Sequence, residues 1–132
     1  MMRPHEKSDI ATREDLEQVL TAFYQQVFRD DLISHFFTTV IPLDMAHHLP
    51  VITDFWEAVV FNKHSYSKNV MAVHQHIHHL SEIKKEHLDR WVQLFTQTID
   101  AQFSGSKTEL MKQRAASIAT LMHMKLSHPR NK

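Results

Sequence analysis

The chain has 132 residues, enough for one domain, and its apolar share of 42% with a charged share of 23% fits a folded globule rather than a disordered or membrane-spanning chain. Fifteen Lys and Arg balance fifteen Asp and Glu, so no excess positive charge is available to displace counterions from nucleic acid. The absence of cysteine excludes disulfides, iron–sulfur clusters and thiol nucleophiles, and leaves imidazole, carboxylate and phenolate as metal ligands.

A single glycine, Gly105, and four prolines interrupt the chain rarely, which favours helices over hairpins. No apolar run approaches the ~20 residues a bilayer requires, and the opening residues MMRPHEKSDI lack the layout of a signal peptide, so no membrane association and a cytoplasmic location are expected. No repeat or low-complexity tract is present. The expectation is one all-α domain over 11–128, with flexible residues 1–10 and 129–132.

Thr12 followed by Asp15 forms a capping-box pattern, and Leu16, Val19, Leu20, Phe23 and Val27 then share one face of a helix reaching about Arg29. Residues 32–37 read as a single helical turn, and Pro42 and Asp44 mark the connection to a helix that starts near Ala46. Its stripe is Leu49, Ile52, Phe55, Trp56, Val59 and Val60, with Pro50 expected in the first turn, where its missing amide hydrogen is harmless, and His47 and His48 at the mouth. Residues 61–68 read as loop and 70–79 as a short histidine-rich helical segment. Two closing helices follow: one carries Leu88, Trp91, Val92, Phe95, Ile99 and Phe103, and the other carries Leu110, Met111, Ala115, Ile118, Ala119, Met122 and Leu126. Gly105, between Ser104 and Ser106, makes the turn that joins them.

Of the twelve histidines, four fall in His74-Gln75-His76-Ile77-His78-His79. That stretch admits three readings: a solvated helix face, a zinc or nickel site using His74 and His78 at four-residue spacing, or one axial haem ligand on a short helix. Seven methionines and eight phenylalanines suit a pocket for a flat apolar cofactor and suit plain core packing equally. Phe23-Tyr24, His48 with Phe55-Trp56, and Trp91 each put a polar-tipped side chain among large apolar ones. A phenol, an imidazole and an indole of this kind either serve as donors in a pocket or are amphipathic core residues with satisfied tips.

Over about residues 10–127 these motifs resemble the truncated haemoglobins, the two-on-two globins, and among them the third group. Phe23-Tyr24 looks like that family's distal tyrosine on its B helix, Phe37 like its haem-packing phenylalanine, and His48 with Phe55-Trp56 like its E-helix pattern. Asn69-x-Met71-x-x-His74 resembles its proximal-ligand segment, and the choice of His74 over His76 rests on the distance to Trp91 in that pattern. His87-Leu88-Asp89-Arg90-Trp91-Val92-Gln93-Leu94-Phe95 is similar to its G helix, and Arg114-Ala115-Ala116-Ser117-Ile118-Ala119 to its H helix. The other groups kink their helices with paired glycines, which this chain lacks.

The resemblance implies a two-over-two helical sandwich around haem b (iron protoporphyrin IX), with His74 on the iron. Tyr24, Trp91 and His48 would face the sixth position, while Phe37, Ile52 and Phe55 would wall the pocket. It further implies reversible binding of dioxygen, nitric oxide or carbon monoxide, extending to nitric oxide dioxygenase or peroxidase-like detoxification with an electron-donor reductase. With Pro50 fixing the helix start, His48 is expected to hydrogen-bond or stand as an open gate rather than bind iron. The extra histidines at 47, 76, 78 and 79 depart from the family pattern and keep alive a non-haem helical metal-binding protein that uses the 74–79 cluster. A cofactor-free interaction module is the third alternative. Lys63, His64 and Lys68 are neighbours for the haem propionates on charge alone.

Overall fold

The computed structural model describes residues 7–40, 44–62 and 82–126. All regular structure among them is helical: α1 (Arg13–Arg29), a π-helical turn (Phe36–Val40), α2 (Met45–Phe61), α3 (Lys85–Gln102) and α4 (Ser106–Leu126).

Helix α1 begins where the capping box places it. The Thr12 hydroxyl accepts from the Asp15 amide at 3.1 Å, and the Asp15 carboxylate accepts in return from the Thr12 amide at 3.1 Å, which satisfies amides that a helix start otherwise leaves free. Its apolar stripe is buried, and Tyr24 is buried with it. At the far end the buried Asp30 carboxylate accepts from the amides of Leu32 and Ile33, both at 3.1 Å, and from Arg90 Nε at 2.7 Å. A charge removed from water in this way needs such partners, and these also tie the end of α1 to α3.

The single turn expected at 32–37 extends further and closes as the π-helical turn Phe36–Val40. Apolar spacing over so few residues does not distinguish one hydrogen-bond ladder from another. Helix α2 starts at Met45 because Asp44 Oδ1 caps the Ala46 amide at 3.0 Å, and it ends at Asn62 in the left-handed region (φ 56°), a conformation asparagine tolerates. Pro50 therefore lies in the second turn and not the first, where it leaves the helix without one hydrogen bond. The Asp44 cap, not the proline, fixes this helix start, and the restraint on His48 drawn from Pro50 does not hold.

The helices form two pairs, α1 with α2 and α3 with α4, and the pairs meet through α1–α3 and α2–α4 contacts. The shared core is aromatic. Trp56 and Trp91 both stack on Phe95, at 5.2 and 5.9 Å, and Phe23 meets Phe95 edge-on at 5.3 Å. Both are favoured ring geometries, and each buried ring contributes roughly 1.5–3 kcal/mol by leaving water.

Between α3 and α4, Gly105 takes φ +146°, which side chains disfavour, and a Cβ there would run into the carboxyl group of Asp9. That carboxylate accepts from the amides of Lys107 (2.8 Å) and Thr108 (2.9 Å) and from the Thr108 hydroxyl (2.9 Å), so it caps α4 from a remote part of the chain. Ser8 O accepts from Ser104 N at 3.0 Å and Ile10 is 2% exposed, so Ser8, Asp9 and Ile10 are anchored although the sequence reading leaves them in the N-terminal tail. Among the described residues no helix is long and apolar enough to cross a membrane.

Candidate functional site

The helical spacing that buries Leu20, Phe23 and Val27 also turns Tyr24 inward, toward α2. A hydrogen bond of 2.8 Å joins its hydroxyl to His48 Nε2 in the first turn of α2, and the imidazole stands edge-on to the phenol at 5.0 Å between ring centroids. Phe37 packs edge-on against Tyr24 at 6.1 Å. Burial pushes the Tyr24 phenol well above its ordinary pKa, so it stays neutral and keeps an O–H to donate near neutral pH.

Helix α2 has two apolar faces instead of the one stripe expected. The fully buried face is Thr53, Trp56, Glu57 and Val60. Its polar members have partners: the Thr53 hydroxyl donates to Leu49 O at 2.7 Å, and Glu57 pairs with Arg13 at 2.8 Å. Ile52, Phe55 and Val59 lie on the other side and are only half-buried, although they pack against the core at their edge, and Leu49, in line with the buried face, is half-buried in the first turns. A Thr and a Glu thus occupy interior positions while two large apolar side chains, Ile52 and Phe55, stay partly uncovered.

A cleft of about 430 Å³, counting its open mouth, lies between the turn after α1 and the α3–α4 pair. Among the described residues Ile33, Phe36, Phe37, Ile83, His87, Leu88, Trp91 and Met122 line it. Phe37 joins it to the Tyr24–His48 pair, and Trp91 joins it to the same cluster through Phe23, which touches both Trp91 (5.9 Å) and Tyr24 (5.1 Å).

Four expected site residues, Tyr24, Phe37, His48 and Trp91, therefore form one contiguous group. Ile52 and Phe55 lie on the less buried face of α2 and are not among the residues lining the cleft. His74 lies outside the described residues, as do His76, His78, His79, Lys63, His64 and Lys68. His47 is exposed and bonds Asp44 at 2.7 Å. Among the described residues no three His, Cys, Asp or Glu side chains converge to hold a metal ion. The sequence reading gave no pocket role to Ile33, Ile83, His87, Leu88 or Met122. For His87 and Leu88 the signal was present, because they stand four and three residues before Trp91 and so share its helix face.

The family model for bacterial-like globins matches residues 8–127. The chain belongs to the bacterial-like globin family. The fold of this globin is that of the truncated globins: the structure matches the group III truncated hemoglobin from Campylobacter jejuni with a TM-score of 0.79, over 96% of this chain and 99% of that one, at 19% sequence identity. At that identity the likeness carries the fold alone. A comparison with curated proteins gives no match.

Membership of a globin family implies a haem cofactor, and the residues present fit one. The cleft is walled by aromatic and aliphatic side chains, as a flat apolar macrocycle requires, and among the described residues its polar groups are His87 and the Trp91 indole.

Proposed function

We propose that this globin binds haem b through His74 and reversibly takes up dioxygen, nitric oxide or carbon monoxide on the side overlooked by Tyr24. The observation that carries this reading is the buried, neutral Tyr24 hydroxyl, paired with His48 beside an aromatic cleft in a globin fold. Haem, when bound, supplies an iron with a coordination position for a diatomic gas. The chain supplies everything that tunes it.

Tyr24 is the principal donor. In the tautomer with the proton on Nε2, His48 donates to the Tyr24 oxygen and leaves the phenol O–H for the gas, so the imidazole acts through the tyrosine rather than as an iron ligand. Trp91 presents a second donor, since the half-buried indole makes no hydrogen bond to another described residue. Phe37 lines the cleft and keeps water from the pocket, which strengthens each hydrogen bond there, and Ile52 and Phe55 would add to that wall only by covering a haem that extends onto α2. A gas held by two donors leaves slowly. The same arrangement extends to redox detoxification of nitric oxide or peroxide once an external electron-donor reductase supplies electrons.

The test is a haemin titration followed by visible absorption, on the natural chain and on His74→Ala. Uptake at one haem per chain, with an intense Soret band that loses its histidine-ligated character in the variant, is the expected result. An unchanged band in His74→Ala overturns the proximal assignment, and a natural chain that takes up no haem overturns the whole reading.

A further inference from the structure

The cleft holds one polar side chain that the function above does not use. His87 sits one helical turn before Trp91, its Nδ1 accepts from the Lys84 amide at 2.9 Å, and its ring stands edge-on to Phe36 at 4.9 Å and to His35 at 6.1 Å. With Nδ1 committed as an acceptor, a neutral ring carries its proton on Nε2. Among the described residues no group accepts from that Nε2–H. The remaining walls are apolar apart from the Trp91 indole.

We propose that His87 Nε2–H receives a carboxylate of the bound tetrapyrrole at the mouth of the cleft, an assignment that rests on the haem reading above. A ligand with a wide apolar body and an anionic edge can bury the body against Phe36, Phe37, Leu88 and Met122 only if the edge meets a donor or water, and His87 is the half-buried donor in that wall. The charged and titratable neighbours acting on the ring are Glu82, Lys84, His35 and Glu86. Burial depresses its proton affinity, with Glu86 opposing and His35 adding to the effect, so the ring is neutral at pH 7 before any anion arrives. A divalent metal held between His35 and His87 is the weaker use of the same residues, because no third ligand converges there.

The test measures haem loss from the ferric holoprotein to an excess of a high-affinity haem scavenger, using protohaem and its dimethyl ester, which has no ionised carboxylate. His87→Glu keeps an acceptor for the Lys84 amide but replaces the donor with a repelling charge, whereas His87→Gln keeps both acceptor and donor. The expected result is protohaem loss about tenfold faster from His87→Glu and within about twofold of natural for His87→Gln, the size of one charge-assisted hydrogen bond gained or lost. With the ester, all three proteins should release at matching rates. Equal protohaem rates for His87→Glu and the natural chain overturn the proposal, and so does an equal acceleration with the ester, which would mark His87 as a helix cap only. A natural chain that takes up no haem overturns the haem reading itself, a result distinct from both.

Discussion

At the start of α4 a single carboxylate, Asp9, accepts from the amides of Lys107 and Thr108 and from the hydroxyls of Thr108 and Ser106. Around Phe23 the arrangement is reversed: the Tyr24 hydroxyl of α1 has the His48 imidazole of α2, and the Trp91 indole N–H of α3 has no partner among the described residues. Asp9 and Trp91 are both half-buried, so the two regions differ in how their polar atoms are partnered rather than in how deeply they lie. The first spends its hydrogen-bonding capacity on the chain and has none left for a ligand, whereas the second keeps capacity facing an apolar cleft. A fold needs the first kind of cluster, and a binding site needs the second.

The largest way to break this comparison is Phe95→Ala. Phe95 is 1% exposed and both tryptophans stack on it, so its removal should cost about 3–5 kcal/mol in the denaturant unfolding of the apoprotein, and should loosen Trp91 as well. A cost under about 1 kcal/mol would mean that the aromatic stack does not organise the core. Next comes Gly105→Ala, which forces a side chain into a disfavoured backbone conformation and into Asp9, for about 1–3 kcal/mol of stability without change at the cleft.

Asp9→Ala removes the cap alone and should cost about 1 kcal/mol. Its pH signature sharpens the assignment. Burial opposes ionisation of Asp9, but the bonds from Lys107, Thr108 and Ile10 outweigh it and hold the carboxyl below its ordinary 3.8. The folded state thus binds its proton less readily than the unfolded state, so the stabilisation is present above pH 3.8 and is lost as the pH falls through the lowered folded value. The natural chain should therefore lose more stability than Asp9→Ala on acidification below that point. Parallel stability curves for the two proteins would remove Asp9 from the account.

Local patterns were legible in the sequence. The Thr12–Asp15 capping box, the α1 stripe, the start of α2 near Ala46 and the α3 and α4 stripes all depend on residues within a turn or two of one another. What failed to show there depends on partners far along the chain. Glu57 occupies an interior position because Arg13 reaches it, and Asp9 caps a helix nearly a hundred residues away. Pro50 misled because a proline's preference for the first turn is weaker than an aspartate cap already in place. Tyr24, Phe37, His48 and Trp91 could be named together through the family resemblance, but only the fold shows them in contact. His87 shares the helix face of Trp91 and was legible by spacing, yet its fixed tautomer depends on a backbone amide that no pattern of side chains reveals.

The smallest expected effect on stability belongs to Tyr24→Phe, and that variant tests the central claim most directly. The measurement is the dioxygen dissociation rate by stopped flow, with Gly105→Ala as the control that perturbs only the saturated cluster. The account predicts a several-fold faster rate in Tyr24→Phe, the equivalent of a hydrogen bond of about 1 kcal/mol, and a natural rate in Gly105→Ala. A natural rate in Tyr24→Phe would contradict it and make the phenol a core residue whose hydroxyl serves only His48.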